Sequence, residues 1–165
     1  MLVANSHQTD LYNNLLLLSR NIFFYKEIKL PDTFETRIYL MFFHFSILMI
    51  IFKKKGRIFD QKLYDYLFHN IENNLRELGF GDVSVNKKMK EFNKILYDIL
   101  LKLNLETEND KFTINEKLIK SYFSILNNHQ NEKIAILKDY LLKFFNFCFE
   151  QPLDNMIRET IKFKY

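Results

Sequence analysis

Apolar residues recur at steps of three and four along most of the chain, and short polar, glycine-bearing or proline-bearing stretches interrupt them. Leu11, Leu15, Leu18, Ile22 and Tyr25 predict an amphipathic helix over 10–27. Leu30-Pro31-Asp32-Thr33 ends it, because proline disfavours helix at the residue before it, and Asp32 with Glu35 three positions later predicts a capping box for the next helix. That helix, 33–55, carries Phe34, Ile38, Met41, Phe45, Leu48 and Phe52 on one stripe, yet Leu40, Phe42, Phe43, Ile47, Met49, Ile50 and Ile51 leave it almost no polar face. A helix that is apolar all round belongs at the centre of a core or in a bilayer. Its apolar run is shorter than the roughly 20 residues a span needs and contains His44 and Ser46, so the expectation is a central buried helix.

A basic loop, Lys53 to Arg57, precedes a predicted helix over 60–78 whose inner side is Leu63, Tyr66, Leu67, Ile71, Asn74 and Leu78. Gly79 predicts a C-cap, and Asp82 or Ser84 an N-cap for a helix over 85–104 with Val85, Met89, Phe92, Leu96, Ile99 and Leu103 inward. The polar stretch 106–110 reads as a loop, and further helices are expected over 114–128, 131–149 and 153–163, with Pro152 at the last break. The fold class is therefore all-α, a single-domain bundle of about seven helices spanning 1–165 around the central helix 33–55.

Composition supports that reading. At 165 residues and 48% hydrophobic, the chain has the length of one domain with one core, while 3 glycines and 2 prolines are too few for the tight turns of a sandwich or barrel. The formal charge of +4 sits in a Lys-, Asn-, Ile- and Phe-rich composition with alanine only at positions 4 and 135, a bias that discounts basicity as a sign of a nucleic-acid partner. The single Cys148, in the apolar Phe144-Phe145-Asn146-Phe147-Cys148-Phe149, reads as structural because burial raises a thiol's pKa. The start, Met1 to Gln8, lacks the charged and apolar regions of a secretory signal, so the expectation is a chain that stays in the reducing compartment where it is made.

Candidate chemistry is sparse. Gly79 and Gly81 imitate a dinucleotide fingerprint, but Ser84 replaces the third glycine and a helix precedes them. Asp65, His69 and Glu72 share a helix face, too few ligands for a metal without a matching pair elsewhere. Neither a catalytic set, a metal nor a cofactor is expected. Arg37 and His44 lie seven residues apart on the apolar helix and need partners, for which Asp32, Glu35, Glu77 and Asp82 are the candidates. Lys87, Lys88, Lys90 and Lys94 form a lysine-rich helix stretch that on charge pattern reads first as a solvated face, with phosphate contact, to lipid headgroups or ribosomal RNA, as the alternative.

Several of these pieces occur in a fixed order: Leu11-Tyr12, Ser19-Arg20, Phe24-Tyr25, Leu30-Pro31-Asp32-Thr33, Arg37, His44, Gln61, Asp65, Phe68, the segment Leu75 to Asp82, Val85 and Lys87-Lys88-Met89. In this the chain resembles the ubiquinol-cytochrome c chaperone family over about 11–97, most specifically in Leu75-Arg76-Glu77-Leu78-Gly79-Phe80-Gly81-Asp82. The resemblance implies a non-enzymatic assembly factor that binds newly synthesised cytochrome b and supports assembly of the cytochrome bc1 complex. It also implies a small partner protein and contact with the ribosome near its tunnel exit, as for mitochondrial relatives. By matching position, Arg20, Tyr25, Asp32, Arg37, His44, Arg76, Glu77 and Asp82 are the polar client or partner surface or its scaffold, and Lys87, Lys88 and Lys90 the contact to ribosome or membrane phosphate.

A client made of transmembrane helices must be shielded from water, so an exposed apolar surface is expected, on some of Phe144, Phe145, Phe147 and Phe149 as the apolar client contact, or on one side of helix 33–55. The expected location is the cytoplasmic side, peripheral at the inner membrane, or the matrix side in a mitochondrion. The competing reading is a ribosome- or RNA-binding helical module with no client of its own.

Overall fold

A computed structural model describes residues 6–105, 111–127 and 131–165. The described residues form α1 (Ser6–Ser19), α2 (Ile22–Lys26), α3 (Phe34–Lys54), α4 (Gln61–Glu77), α5 (Asp82–Leu105), α6 (Glu116–Tyr122), α7 (Asn131–Phe149) and α8 (Leu153–Glu159), with short 3-10 turns at Ser124–Asn127 and Thr160–Lys162. Seven of these helices have seven residues or more, α2 being a single five-residue turn, and no strand occurs among the described residues. The predicted loop 106–110 and residue 128 lie outside the described residues.

The apolar helix takes the centre. Thirteen of the 21 residues of α3 are buried, and α1, α5 and α7 pack around it. α1 also packs on α4 and α8, while α4 and α5 form an antiparallel hairpin on one flank. Asn14, buried on α1, donates from Nδ2 to the Ile157 carbonyl at 2.9 Å and ties the two chain ends together.

Local structure departs from the spacing where a side chain offers the backbone a better partner. The expected helix 10–27 breaks at 20–21, where Asn21 N–H bonds to Leu18, only three residues back, and the Asn21 side chain accepts from Phe23 N–H to cap a new turn. Phe23 and Phe24 then face the core, and Ile22, expected inward, is 59% exposed. The capping box of Asp32 and Glu35 is not formed. Thr33 is the N-cap of α3, its hydroxyl accepting from Thr36 N–H at 3.2 Å, which leaves Asp32 to Arg37 and Glu35 to Lys88. The expected helix 114–128 stops at Tyr122, since Phe123 leaves helical geometry and places its ring 5.7 Å from that of Phe43.

The corner between α4 and α5 follows the glycine. Gly79 has φ +93°, its N–H bonds to Arg76 C=O, and Phe80 N–H bonds to Leu75 C=O, the paired bonds of a left-handed helix stop. A Cβ at Gly79 meets no atom within 4 Å, so the cost of a side chain there is conformational alone. Gly79→Ala is expected to lose about 1 kcal/mol in urea unfolding. Gly81→Ala, equally uncrowded and without positive φ, should be close to neutral in the same measurement.

Candidate functional site

Three helices leave a groove open on the flank of α3. Its floor is Leu16 of α1, Phe34, Ile38 and Met41 of α3, and Ile71 of α4; its volume is about 350 Å³. The inward stripes of α1, α3 and α4 cross here without a fourth helix to cover them. Tyr12 and Asn74 close one wall, Asn74 Nδ2 donating to the Tyr12 hydroxyl, whose pKa burial raises. Leu78, 59% exposed, forms the lip.

Charges ring the apolar floor. Arg20, Arg37 and Glu77 stand at the rim. Arg37 is held by Asp32, with Nε at 3.0 Å and Nη2 at 2.5 Å from Oδ1. Arg20 and Glu77 are exposed and hold no ion pair among the described residues. Tyr25 anchors the turn that carries Arg20, donating to the Ser19 carbonyl at 2.6 Å, and its hydroxyl pKa is raised by burial. At the end of α4, Arg76 bridges Glu72 at 3.1 Å and Asp82 across the Gly79 corner, which keeps its guanidinium charged and fixes the start of α5.

Of the eight residues assigned to the polar surface or its scaffold, Arg20, Tyr25, Asp32, Arg37 and Glu77 therefore gather at one groove, with Arg76 and Asp82 bracing its edge. His44 does not join them. It is fully buried about two turns further along α3, against α7, where Nδ1 lies 2.6 Å from the Leu40 carbonyl and Nε2 2.8 Å from the Tyr140 hydroxyl. A carbonyl only accepts, so Nδ1 carries the hydrogen and Nε2 receives the Tyr140 O–H. Burial lowers the His44 pKa to about 4, so the ring is neutral scaffold. The carboxylates expected as its partners are replaced by Tyr140, 96 residues away and invisible to any local spacing.

The aromatic segment of α7 is also corrected. Phe144 and Phe145 are buried, Phe144 against His44 and Phe163, and Phe145 stacked on Phe112 at 4.2 Å, so neither offers a client surface. The chain covers two sides of α7 with its own 112 and 163 regions, hence the width of the apolar segment. Phe147 is half-buried against Phe163; Phe149 is 42% exposed, with Lys55 Nζ 4.9 Å from its ring centre. Cys148 is buried and its thiol pKa is pushed up by burial, a structural residue. Lys88 turns from the lysine face to the Phe80 ring at 5.0 Å and to Glu35 at 3.9 Å, while Lys87 and Lys90 point into solvent.

Asp65, His69 and Glu72 line a shallow depression beside Tyr64 and Met89, but Asp65 accepts from Gln61 and Glu72 from Arg76. Among the described residues no three His, Cys, Asp or Glu side chains gather as metal ligands. An apolar floor inside a charged rim has the chemistry to receive an apolar segment flanked by charges.

The family model of the ubiquinol-cytochrome c chaperones matches residues 26–163. The chain belongs to this family. The match extends well beyond 97, so the C-terminal helices whose reading rested on spacing alone lie within the family domain too. A crystal structure of the Cbp3 homolog from Brucella abortus superposes with a TM-score of 0.66 at 19% identity, covering 97% of this chain and 88% of that one, so the two share a fold. No curated protein is similar enough to match. Membership in the ubiquinol-cytochrome c chaperone family carries a role in assembling the bc1 complex, and a non-enzymatic one.

Proposed function

We propose that this chaperone holds an apolar segment of newly made cytochrome b in the groove between α1, α3 and α4 until the segment is committed to the bc1 complex. What supports the reading is that Arg20, Arg37 and Glu77, expected from the resemblance as the polar surface, stand at the rim of an uncovered apolar floor. Water-averse side chains of an unassembled membrane subunit gain by leaving solvent, at roughly 25 cal/mol per Å² of apolar surface covered. The rim charges give that burial a register: Arg20 and Glu77, both without an ion pair among the described residues, stand ready to meet a carboxylate and a cation flanking the apolar segment. No step in this cycle makes or breaks a covalent bond. The chain works at the cytoplasmic face of the inner membrane, or the matrix face in a mitochondrion, where the client leaves the ribosome tunnel and inserts.

Leu78→Asp places a charge on the exposed lip without touching the core. Binding of a fluorescent peptide from an apolar helix of cytochrome b should weaken by about tenfold, the cost of burying one unpaired polar group at the contact. Unchanged peptide affinity in a variant that melts like the parent would remove the groove from the account.

A further inference from the structure

The solvent face of α5 has an order that the groove does not use. Val83, Lys87, Lys90, Lys94, Tyr97 and Leu101 follow one another at steps of four and three, which puts them in a single line along the helix, about 27 Å from end to end. All six are exposed, the three apolar ones at 84%, 60% and 58%. A solvated helix face normally mixes signs, and its large apolar residues turn inward. Here three lysines without an ion pair among the described residues occupy the middle, and bare apolar side chains occupy both ends. The acids of this helix flank the line: Asp82 on one side is paired with Arg76, and of Glu91 and Asp98 on the other, Asp98 is paired with Lys102 at 2.8 Å and with the Tyr122 hydroxyl.

We infer that this face of α5 lies flat on an anionic lipid bilayer, the lysines against headgroup phosphates and Val83, Tyr97 and Leu101 dipping into the interface. The inference goes beyond client binding and rests on the part of the functional reading that puts the chain at a membrane. Charge complementarity selects an anionic partner, and the apolar ends select among anionic partners. Aliphatic side chains such as Val83 and Leu101 gain nothing from a sugar-phosphate backbone, and one tyrosine is no base-stacking platform. At a bilayer the same residues remove apolar area from water, while each lysine adds electrostatic attraction to acidic lipid. Lys53, on the α3 wall beside Leu101, extends the basic surface past the C-terminal end of the line. Lys88, 140° around the helix from Val83, is excluded from this face by its contacts with Phe80 and Glu35.

The test is sedimentation of the full chain with vesicles of phosphatidylcholine containing about 30% phosphatidylglycerol, against phosphatidylcholine alone, at low and high salt. The parent should bind the anionic vesicles and be released by salt. Lys87→Glu/Lys90→Glu/Lys94→Glu should bind at least tenfold more weakly, and Val83→Asn/Leu101→Asn several-fold more weakly, with melting temperatures of both variants close to the parent's because all five positions are solvent-facing. Parent protein that ignores both vesicle types overturns the inference together with the membrane location; parent binding that both variants retain overturns the α5 face alone. Loss of affinity for an RNA oligonucleotide in the lysine variant, with no vesicle binding by the parent, assigns the face to nucleic acid and overturns the inference as well.

Discussion

Tyr140→Ala is expected to cost about 4 kcal/mol, the largest loss of any single truncation discussed for this chain, and to leave little folded protein at 37 °C. The Tyr140 ring is fully buried and is the hub of an aromatic cluster, with Phe23, Phe24, His44, Phe163 and Tyr165 at centroid distances of 4.9 to 5.5 Å. It joins α2, α3, α7 and the C-terminal residues. Removing it opens a cavity under all four and orphans Nε2 of His44. Tyr140→Phe keeps the ring and loses only the hydroxyl, so it isolates the second effect: an unpaired buried acceptor, expected at about 1–2 kcal/mol. Urea unfolding of both variants separates packing from hydrogen bonding at this position, and a Tyr140→Ala protein as stable as the parent contradicts the cluster's role.

Acid should undo the same junction. His44 takes up a proton near its ordinary value of 6.5 when unfolded, but only near 4 when folded, because burial disfavours the charged ring. Between those limits the unfolded chain binds more protons, so stability rises with pH through the window. The contribution is complete above about pH 6.5 and is lost progressively as pH falls toward 4, amounting to roughly 3 kcal/mol for a gap of this size. Asp139 and Glu159, whose carboxyls Lys143 and Lys162 hold below their usual range, add to the loss at still lower pH. Urea midpoints measured from neutral pH down to about pH 4.5 should fall in the parent, whereas His44→Leu, whatever its own stability, should lose most of that slope. A flat parent profile over this range would mean that the ring is accessible to protons in the folded chain.

How far the molecule was legible differs from element to element for physical reasons. α3 announces itself because no polar face interrupts its apolar positions, and a helix of that kind has to be wrapped by others. The corner at Gly79 is equally plain, since a glycine followed by a fresh cap has few other uses. The break at Asn21 was not legible, because the heptad-like run of leucines carries the eye past a cap that a single side chain supplies. His44 stood out as a polar residue in an apolar helix, but its partner could not be named, as nothing local links positions 44 and 140.

The site divides in the same way. The rim residues Arg20, Arg37 and Glu77 came from positions matching a family pattern, whereas the floor formed by Leu16, Met41 and Ile71 reads in the sequence as ordinary core. Whether an inward stripe is covered depends on how many helices surround it, and that is decided by packing rather than by the stripe. The Phe144-Phe145 expectation failed through the converse. A segment apolar on two sides is exposed only if the chain has nothing to lay over it, and here Phe112 and Phe163 do that.

The central claim, that the α1–α3–α4 groove grips unassembled cytochrome b, is tested most directly by a photo-reactive amino acid placed at Leu78 and irradiated in cells making the bc1 complex. The account predicts a crosslink from Leu78 to cytochrome b lacking its full haem complement, and none from the same amino acid at Asn146, exposed on α7 and outside the groove. Equal crosslinking from both positions, or capture at Leu78 that never includes a bc1 subunit, would contradict it.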